Sequence, residues 1–286
     1  MTPARSLFSR LFDNAALFPP AKLPMDEALR GHERHLAAWY AKTVGPFVCP
    51  VAAVDGLLGH LSPAAEPLEV ALLITGGPEA ITEGITGVAR EPRLRLAAVE
   101  VAVDGPPGAA LAASAHSEHL PEAVPIWIEI PYGDPGEAIA DQIAAAGHRA
   151  KLRTGGTVAG AFPQAATLAR SIRAFTQRSI PFKCTAGLHS AVRHTDPRTG
   201  FEHHGILNLL LATEAAVAGA GPGDVEALLE ERDEAAVIRA VRGSAGLGSA
   251  RTAFRSFGTC SIDEPIEDLV RLGLLEPPSR PGAPRP

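Results

Sequence analysis

Short β-like runs alternate with helix-like runs along most of the chain, and this alternation constrains the fold more than any other feature. The runs recur about every 25 to 30 residues, the length of one βα unit in a (β/α)8 barrel of ~250 residues. Alternating strands and helices predict a parallel sheet covered by helices. A chain of 286 residues is long enough to bury one large core. We therefore predict a (β/α)8 TIM-type barrel.

Periodicity identifies seven of the eight strands that such a barrel needs. The predicted strands are residues 47–53, 68–74, 95–103, 124–130, 150–154, 180–185 and 253–260. The predicted helices are residues 25–41, 78–89, 135–146, 164–177, 205–220 and 224–242. Residues 196–249 show little strand character, so we expect the barrel to be irregular, or to lack one strand, in its C-terminal third. Residues 1–275 form one predicted domain with an N-terminal helical segment, and the Pro-rich residues 276–286 a disordered tail.

Composition excludes several classes of function. A net charge of −6 with 5% aromatic residues argues against a nucleic-acid surface, which needs clustered basic residues or stacking rings. No apolar run is long enough for a membrane span, and the N-terminal stretch lacks the apolar core of a signal peptide. The three cysteines are far apart, which favours neither a disulfide framework nor a metal knuckle. We expect a cytoplasmic protein and leave its oligomeric state open, with a homo-oligomer among the options.

Charged side chains recur on the inner face of the predicted barrel strands. Side chains alternate between the helix layer and the barrel interior, so residues out of phase with the aliphatic ones point inward. The inward charged residues are Glu100, Glu129, Lys151, Arg153 and Lys183. Barrel interiors are normally filled by branched aliphatic residues, and active sites lie at the C-terminal ends of the strands. Burying a charge costs several kcal/mol unless it is well paired, so function is favoured over a compensated ion-pair network without chemistry.

Two inward lysines on neighbouring strands suggest a reactive amine. A nearby cation disfavours the protonated form of an amine, so we expect Lys183 and Arg153 to lower the pKa of Lys151. A neutral lysine can form a Schiff base with a carbonyl compound. Glu100 or Glu129 would then move protons, and the iminium would act as an electron sink for breaking or making a C–C bond.

The segments KLRTG (Lys151 to Gly155) and KCTAG (Lys183 to Gly187) resemble class I aldolases of the deoxyribose-phosphate aldolase type. That family has a Schiff-base lysine before a Thr-Gly turn and a second lysine one strand later. The resemblance implies that Lys151 and Lys183 act on a small carbonyl substrate, without metal or cofactor. Arg153 stands where the family has a small residue, Glu129 is the nearest match to its acid–base aspartate, and both lysines fall one predicted strand early.

Further residues are predicted to bind the substrate. The glycine turns offer backbone N–H groups to a phosphate or carboxylate, with arginines as charge partners, so an anionic substrate fits. The predicted substrate-binding residues are Glu100, Arg153, Thr154, Gly155, Thr185, Gly187, His189 and Arg193.

Two other functions stay open from the sequence. His189 together with His204, Glu129 or Glu100 could bind a metal, which would indicate a metal-assisted hydrolase or lyase. A non-catalytic barrel that binds a small anionic ligand is the other alternative. The segment LFDNAALFPPA (residues 11 to 21) is interpreted as structural, with Asp13 or Asn14 reaching the site as the less favoured interpretation.

Overall fold

A computed structural model gives the fold and describes residues 7–62, 66–75, 78–102, 120, 123–130 and 136–278. Eight parallel strands close into a barrel in the order β1-β10-β7-β6-β5-β4-β3-β2. The barrel strands are β1 (Phe12–Asn14), β2 (Val44–Pro50), β3 (Leu68–Ile74), β4 (Leu94–Val101), β5 (Ile126–Ile130), β6 (Arg149–Arg153), β7 (Phe182–Thr185) and β10 (Phe254–Thr259). Two further short strands, β8 (His194–Thr195) and β9 (Glu202–His203), form an antiparallel hairpin outside the barrel. The chain is a (β/α)8 TIM barrel, as the alternation predicts.

Ten α-helices accompany these strands in the described part of the chain. They are α1 (Met25–Ala37), α2 (Val54–His60), α3 (Pro78–Ala89), α4 (Gly136–Ala145), α5 (Ala165–Gln177), α6 (Ile206–Val217), α7 (Pro222–Glu230), α8 (Glu234–Gly243), α9 (Leu247–Ala253) and α10 (Asp263–Arg271). The stretch predicted as one helix over residues 224–242 is two helices, because the chain breaks at Glu231 and Asp233 caps α8 through the Ala235 N–H. None of the described helices has the length and hydrophobicity needed to cross a membrane.

The eighth strand lies at the N-terminus, where the sequence interpretation placed only a structural segment. The three-residue strand β1 pairs with β10 on one side and β2 on the other. Strand β7 pairs directly with β10, so the fully described residues between them contribute the hairpin and four helices but no barrel strand. Residues 196–249 thus contribute no barrel strand, in line with their weak strand character, but the barrel itself is complete because β1 is its eighth strand.

The alternation of side chains across the barrel wall follows the predicted pattern. Val99, Ile128 and Leu152 pack in the outer core between strands and helices. A separate cluster inside the barrel contains Ala98 and Trp127. The four inward residues Glu100, Glu129, Lys151 and Lys183 are buried, between 1% and 6% exposed. Residue 103 of the predicted strand 95–103, residue 135 of the predicted helix 135–146, and residues 279–286 of the predicted tail lie outside the described residues.

The glycines of the two lysine motifs pack against each other. A Cβ atom on Gly155 would lie 2.6 Å from Gly187 Cα and 2.7 Å from Phe162 Cε1. Gly187 also has a φ of +72°, in the left-handed region that favours glycine. The Thr154 hydroxyl donates a hydrogen bond to the Ala186 carbonyl at 2.7 Å. The turns after β6 and β7 thus pack against each other, which supports the register that places Lys151 beside Lys183.

Replacing Gly155 by alanine tests this contact. We expect Gly155→Ala to lower the free energy of unfolding by about 1 to 3 kcal/mol, because the methyl group overlaps backbone that cannot move away easily. The control is Gly160→Ala, since a Cβ on Gly160 meets nothing within 4 Å. Urea unfolding of both variants measures the difference, and equal stability of the two would contradict the contact.

Candidate active site

A cavity of about 760 Å³ opens at the C-terminal ends of the barrel strands. The five inward charged residues predicted from strand parity all line it: Glu100, Glu129, Lys151, Arg153 and Lys183. The volume lies within the ~300–1,000 Å³ typical of small-molecule sites. The loop after β1 contributes Phe18, and the hairpin loop contributes Arg198 and Phe201, so the rim is built from segments distant in sequence.

Lys183 lies near one end of a row of alternating charges. Its Nζ atom is 2.5 Å from Asp13 Oδ2 and 2.5 Å from Glu100 Oε1. The Ser256 hydroxyl donates to the same Asp13 oxygen at 2.7 Å. The Lys183 Nζ atom also lies 5.7 Å from the centre of the Trp127 ring. Lys183 is therefore enclosed by two carboxylates and an aromatic face.

Lys151 continues the row on the adjacent strand β6, where it is the register partner of Lys183. Its Nζ atom is 2.7 Å from Glu100 Oε2 and 2.9 Å from Glu129 Oε2. Arg153 Nε and Nη2 donate to the other Glu129 oxygen, at 3.0 and 2.5 Å. The row therefore runs Asp13, Lys183, Glu100, Lys151, Glu129 and Arg153, with three negative and three positive members. We call it the charge row.

Burial and the cations act in opposite directions on the carboxylates. Burial by itself raises the pKa of Glu100, but Lys151 and Lys183 outweigh it and bring the pKa down to about 2. Burial is likewise outweighed by Lys151 and Arg153 at Glu129, whose pKa is lowered. Burial prevails at Asp13 over its ion pair with Lys183, and the charge of Glu100 adds to it, so the pKa of Asp13 is raised. Asp13 is thus the carboxyl group of the row that most readily takes a proton.

The pKa of Lys151 is raised, which corrects the expectation from the sequence. Burial lowers the pKa of this amine, and Lys183 lowers it too, but Glu100 and Glu129 raise it by more. Both carboxylates contact the Lys151 Nζ atom directly. The Lys183 ammonium is separated from Lys151 by Glu100, so its opposing effect is smaller. Lys183, between Asp13 and Glu100, also has a raised pKa. In the resting protein both lysines are ammonium ions.

Not every predicted substrate-binding residue lies in the cavity wall. Thr185, Gly187 and His189 line it, together with Glu100 and Arg153. Thr154 is fully buried and Gly155 packs on Gly187, so both lie behind the wall and hold the backbone. Neither Thr154 nor Gly155 is among the residues that line the cavity.

Arg193 and His204 likewise lie away from the cavity wall. The Nη1 atom of Arg193 lies 3.1 Å from His204 Nδ1, and His204 Nε2 lies 2.7 Å from the Pro163 carbonyl oxygen. His189 instead contacts Glu264, with Nδ1 2.6 Å from Oε2. The set of metal ligands suggested by the sequence is therefore not assembled. Across the described ranges, no three His, Cys, Asp or Glu side chains are grouped so as to hold a metal ion.

Asp13 belongs to the charge row, although the sequence interpretation favoured a structural role for its segment. It is 2% exposed and reaches the interior from β1, while its neighbour Asn14 turns toward His32 on α1. A Cβ on Gly45, in the adjacent strand, would overlap Asp13 Oδ1. A glycine inside a strand often marks a close approach of another group, so Gly45 was the available signal.

Comparison with protein-family models, with curated proteins and with solved structures finds no match to this chain. The function is therefore argued from the site itself.

The two lysines differ in what their removal leaves behind. Lys183→Met leaves Asp13 without a cation in direct contact and should lower the free energy of unfolding by about 3 to 5 kcal/mol at neutral pH. Lys151→Met should cost less, because Glu100 keeps Lys183 and Glu129 keeps Arg153. Urea unfolding of both variants tests this order. The double variant Lys183→Met/Asp13→Asn should recover part of the loss, and equal losses for the two lysines would contradict the charge row.

The depressed pKa of Glu100 predicts a pH dependence of stability. A carboxylate with a lowered pKa in the folded state stabilises that state above its ordinary pKa of 4.5 and stops doing so as the pH falls toward about 2. The stability difference between the wild type and Glu100→Gln should therefore be steady from about pH 5 to pH 7 and shrink below pH 4.5. Denaturant unfolding at several pH values measures it, with Glu79→Gln on the exposed surface as control. A difference that does not change with pH would argue against the two ion pairs.

Proposed function

We propose that this protein is a class I aldolase-like carbon–carbon lyase, in which Lys151 forms a Schiff base with a small carbonyl substrate. One observation carries the proposal: a buried lysine amine that lines a substrate-sized cavity is held between two carboxylates, Glu100 and Glu129. This arrangement supplies a nucleophile and two proton acceptors in direct contact. The proposed reaction needs no other group from the protein for the first bond to form.

The use of lysine in this chain supports a chemical role. Of 26 Lys and Arg residues, four are lysines: Lys22, Lys42, Lys151 and Lys183. Lys22 and Lys42 are exposed, and the other two are buried inside the barrel. A guanidinium would serve an ion pair equally well or better, but it does not lose its proton to become a nucleophile. The two buried cations that contact the cavity carboxylates are thus lysines, the residue type whose side chain can act as a nucleophile.

The proton of the Lys151 ammonium has to leave before the amine can attack. Glu129 and Glu100 both lie within hydrogen-bonding distance of Nζ and are suited to receive it. Once formed, the iminium withdraws electrons from the neighbouring carbon, and the same carboxylates can take or return a proton there. Lys183 stays protonated between Asp13 and Glu100 and keeps the network charge balanced.

The position of the lysines in the barrel agrees with the aldolase resemblance. With β1 counted, Lys151 lies on the sixth barrel strand in chain order and Lys183 on the seventh. This removes the one-strand offset that arises when the N-terminal strand is not recognised.

The balanced charge row favours one competing function. Three carboxylates paired with three cations form a network that could stand without chemistry, in a barrel that only binds a small anionic ligand. Such a protein would keep the cavity and the ion pairs but would not form a covalent adduct through Lys151.

Reductive trapping separates these functions. Incubation with cyanoborohydride and a panel of small aldehydes and oxo acids should attach one substrate to the protein, and peptide mapping should find it on Lys151. Lys151→Met should abolish the adduct, whereas Lys42→Met, at an exposed lysine, should not change it. Incubation with a chelator should leave trapping intact.

The alternatives give different results in the same experiment. An adduct on Lys183 would exchange the roles of the two lysines while keeping the reaction class. The absence of any adduct, in a protein that still binds small anions, would favour the non-catalytic barrel. Loss of activity on chelation would favour the metal-assisted enzyme.

A further inference from the structure

Lys151 and Arg153 hold opposite oxygens of one carboxylate. Lys151 Nζ contacts Glu129 Oε2 at 2.9 Å, and Arg153 Nε and Nη2 contact Oε1 at 3.0 and 2.5 Å. The Arg153 side chain is 31% exposed, against 4% for Lys151 and 6% for Glu129. Among the described residues, the Arg153 Nη1 atom has no hydrogen-bond partner. Arg153 also lines the cavity, so part of this side chain is accessible to a ligand beside the buried amine.

We infer that the carbonyl substrate is a short 2-oxo acid, whose carboxylate binds Arg153 while its keto carbon meets Lys151, and that this binding releases Glu129 to accept the Lys151 proton. The inference rests on the proposed function and adds the substrate class and a role for Arg153. That role is particular to this chain, because the aldolases that it resembles have a small residue at this position.

The spacing of the two side chains selects the position of the anionic group. Lys151 and Arg153 are two residues apart on one strand, so their Cα atoms are about 6.6 Å apart at ~3.3 Å per residue. Both side chains end on the same Glu129 carboxylate, which brings the amine and the guanidinium closer still at their tips. A carboxylate on the carbon next to the carbonyl spans this gap. A phosphate separated from the carbonyl by further carbons would extend past Arg153 when the carbonyl is at Nζ.

Arg153 controls the basicity of Glu129. Arg153 and Lys151 together lower the pKa of this carboxyl group against the effect of burial. When a substrate carboxylate shares the guanidinium charge, Glu129 loses part of this stabilisation and becomes a better base. The proton then moves from the Lys151 ammonium to Glu129, and only a protein that holds the correct anion exposes a neutral amine.

Schiff-base formation between Lys151 and the 2-oxo acid conserves atoms and charge. The neutral Lys151 amine attacks the keto carbon, so that an N–C bond forms and the C=O double bond becomes a C–O single bond. Two of the three ammonium protons pass through the carboxylates to this oxygen, which leaves as water. The third proton stays on nitrogen, so an ammonium ion and a 2-oxo acid give a protonated imine and water, with no change in total charge and no oxidant.

A matched pair of carbonyl compounds tests the inference in the full-length protein. Pyruvate and pyruvamide have the same keto group, but only pyruvate carries a carboxylate. The rate of cyanoborohydride trapping, followed by intact mass, should be at least tenfold higher for pyruvate in the wild type. In Arg153→Gln, pyruvate should be trapped about 10- to 100-fold more slowly, because its anion has lost its partner. Pyruvamide should be trapped faster than in the wild type, because Glu129 is no longer held by Arg153.

Opposite effects on the two compounds exclude a merely structural role of Arg153, which would slow both. The control is Arg239→Gln, at an exposed arginine outside the cavity wall, which should leave the pyruvate-to-pyruvamide ratio unchanged. Equal trapping of the two compounds by the wild type, an unchanged ratio in Arg153→Gln, or faster trapping of dihydroxyacetone phosphate than of pyruvate would each overturn the inference while leaving the Schiff-base enzyme in place. The absence of an adduct with every carbonyl compound would overturn the proposed function and this inference together.

Discussion

Glu100 is the residue on which the interior of the barrel depends. Each of its oxygens holds a different lysine, Lys183 at 2.5 Å and Lys151 at 2.7 Å. Two ammonium ions on adjacent strands would repel one another at low dielectric, and neither could be buried alone at a tolerable cost. A single bridging carboxylate makes the pair stable, and the outer partners Asp13 and Glu129 complete the neutralisation. The space above them remains free for a ligand because the charges are satisfied within the wall.

The ion pairs of the charge row stabilise the fold, but they disfavour the neutral amine that the proposed reaction needs. Full pairing keeps both amines protonated, which stabilises the fold but leaves no nucleophile in the resting state. In the proposed reaction, the neutral amine then has to be produced by a change in the neighbours of Lys151. Arg153, the most exposed member of the charge row, is where a ligand can make that change without breaking the deeper ion pairs.

The sequence predicted those features of the fold and site that follow from a repeating pattern. It did not predict features that depend on one specific contact between side chains. Strand alternation placed Glu129, Lys151 and Lys183 in the interior, because a period of two is a property of the backbone. It could not show that Glu100 stands between the lysines, and hence gave the pKa of Lys151 the wrong direction. Thr154 and Gly155 suggested ligand binding, but they serve backbone packing that depends on a turn from the next βα unit. Strand β1 is only three residues long, too short for periodicity to register.

The placement of β10 between β1 and β7 has a consequence for how the molecule assembles. Asp13 and Lys183 lie on strands that meet only through β10, which also brings Ser256 to Asp13. Without β10 the other seven strands would leave the barrel open between β1 and β7, and Asp13 and Lys183 would be accessible to water. Closure, and with it the removal of these charges from solvent, needs residues 254–259, so the desolvation of the site depends on a segment more than 200 residues away from Asp13 along the chain.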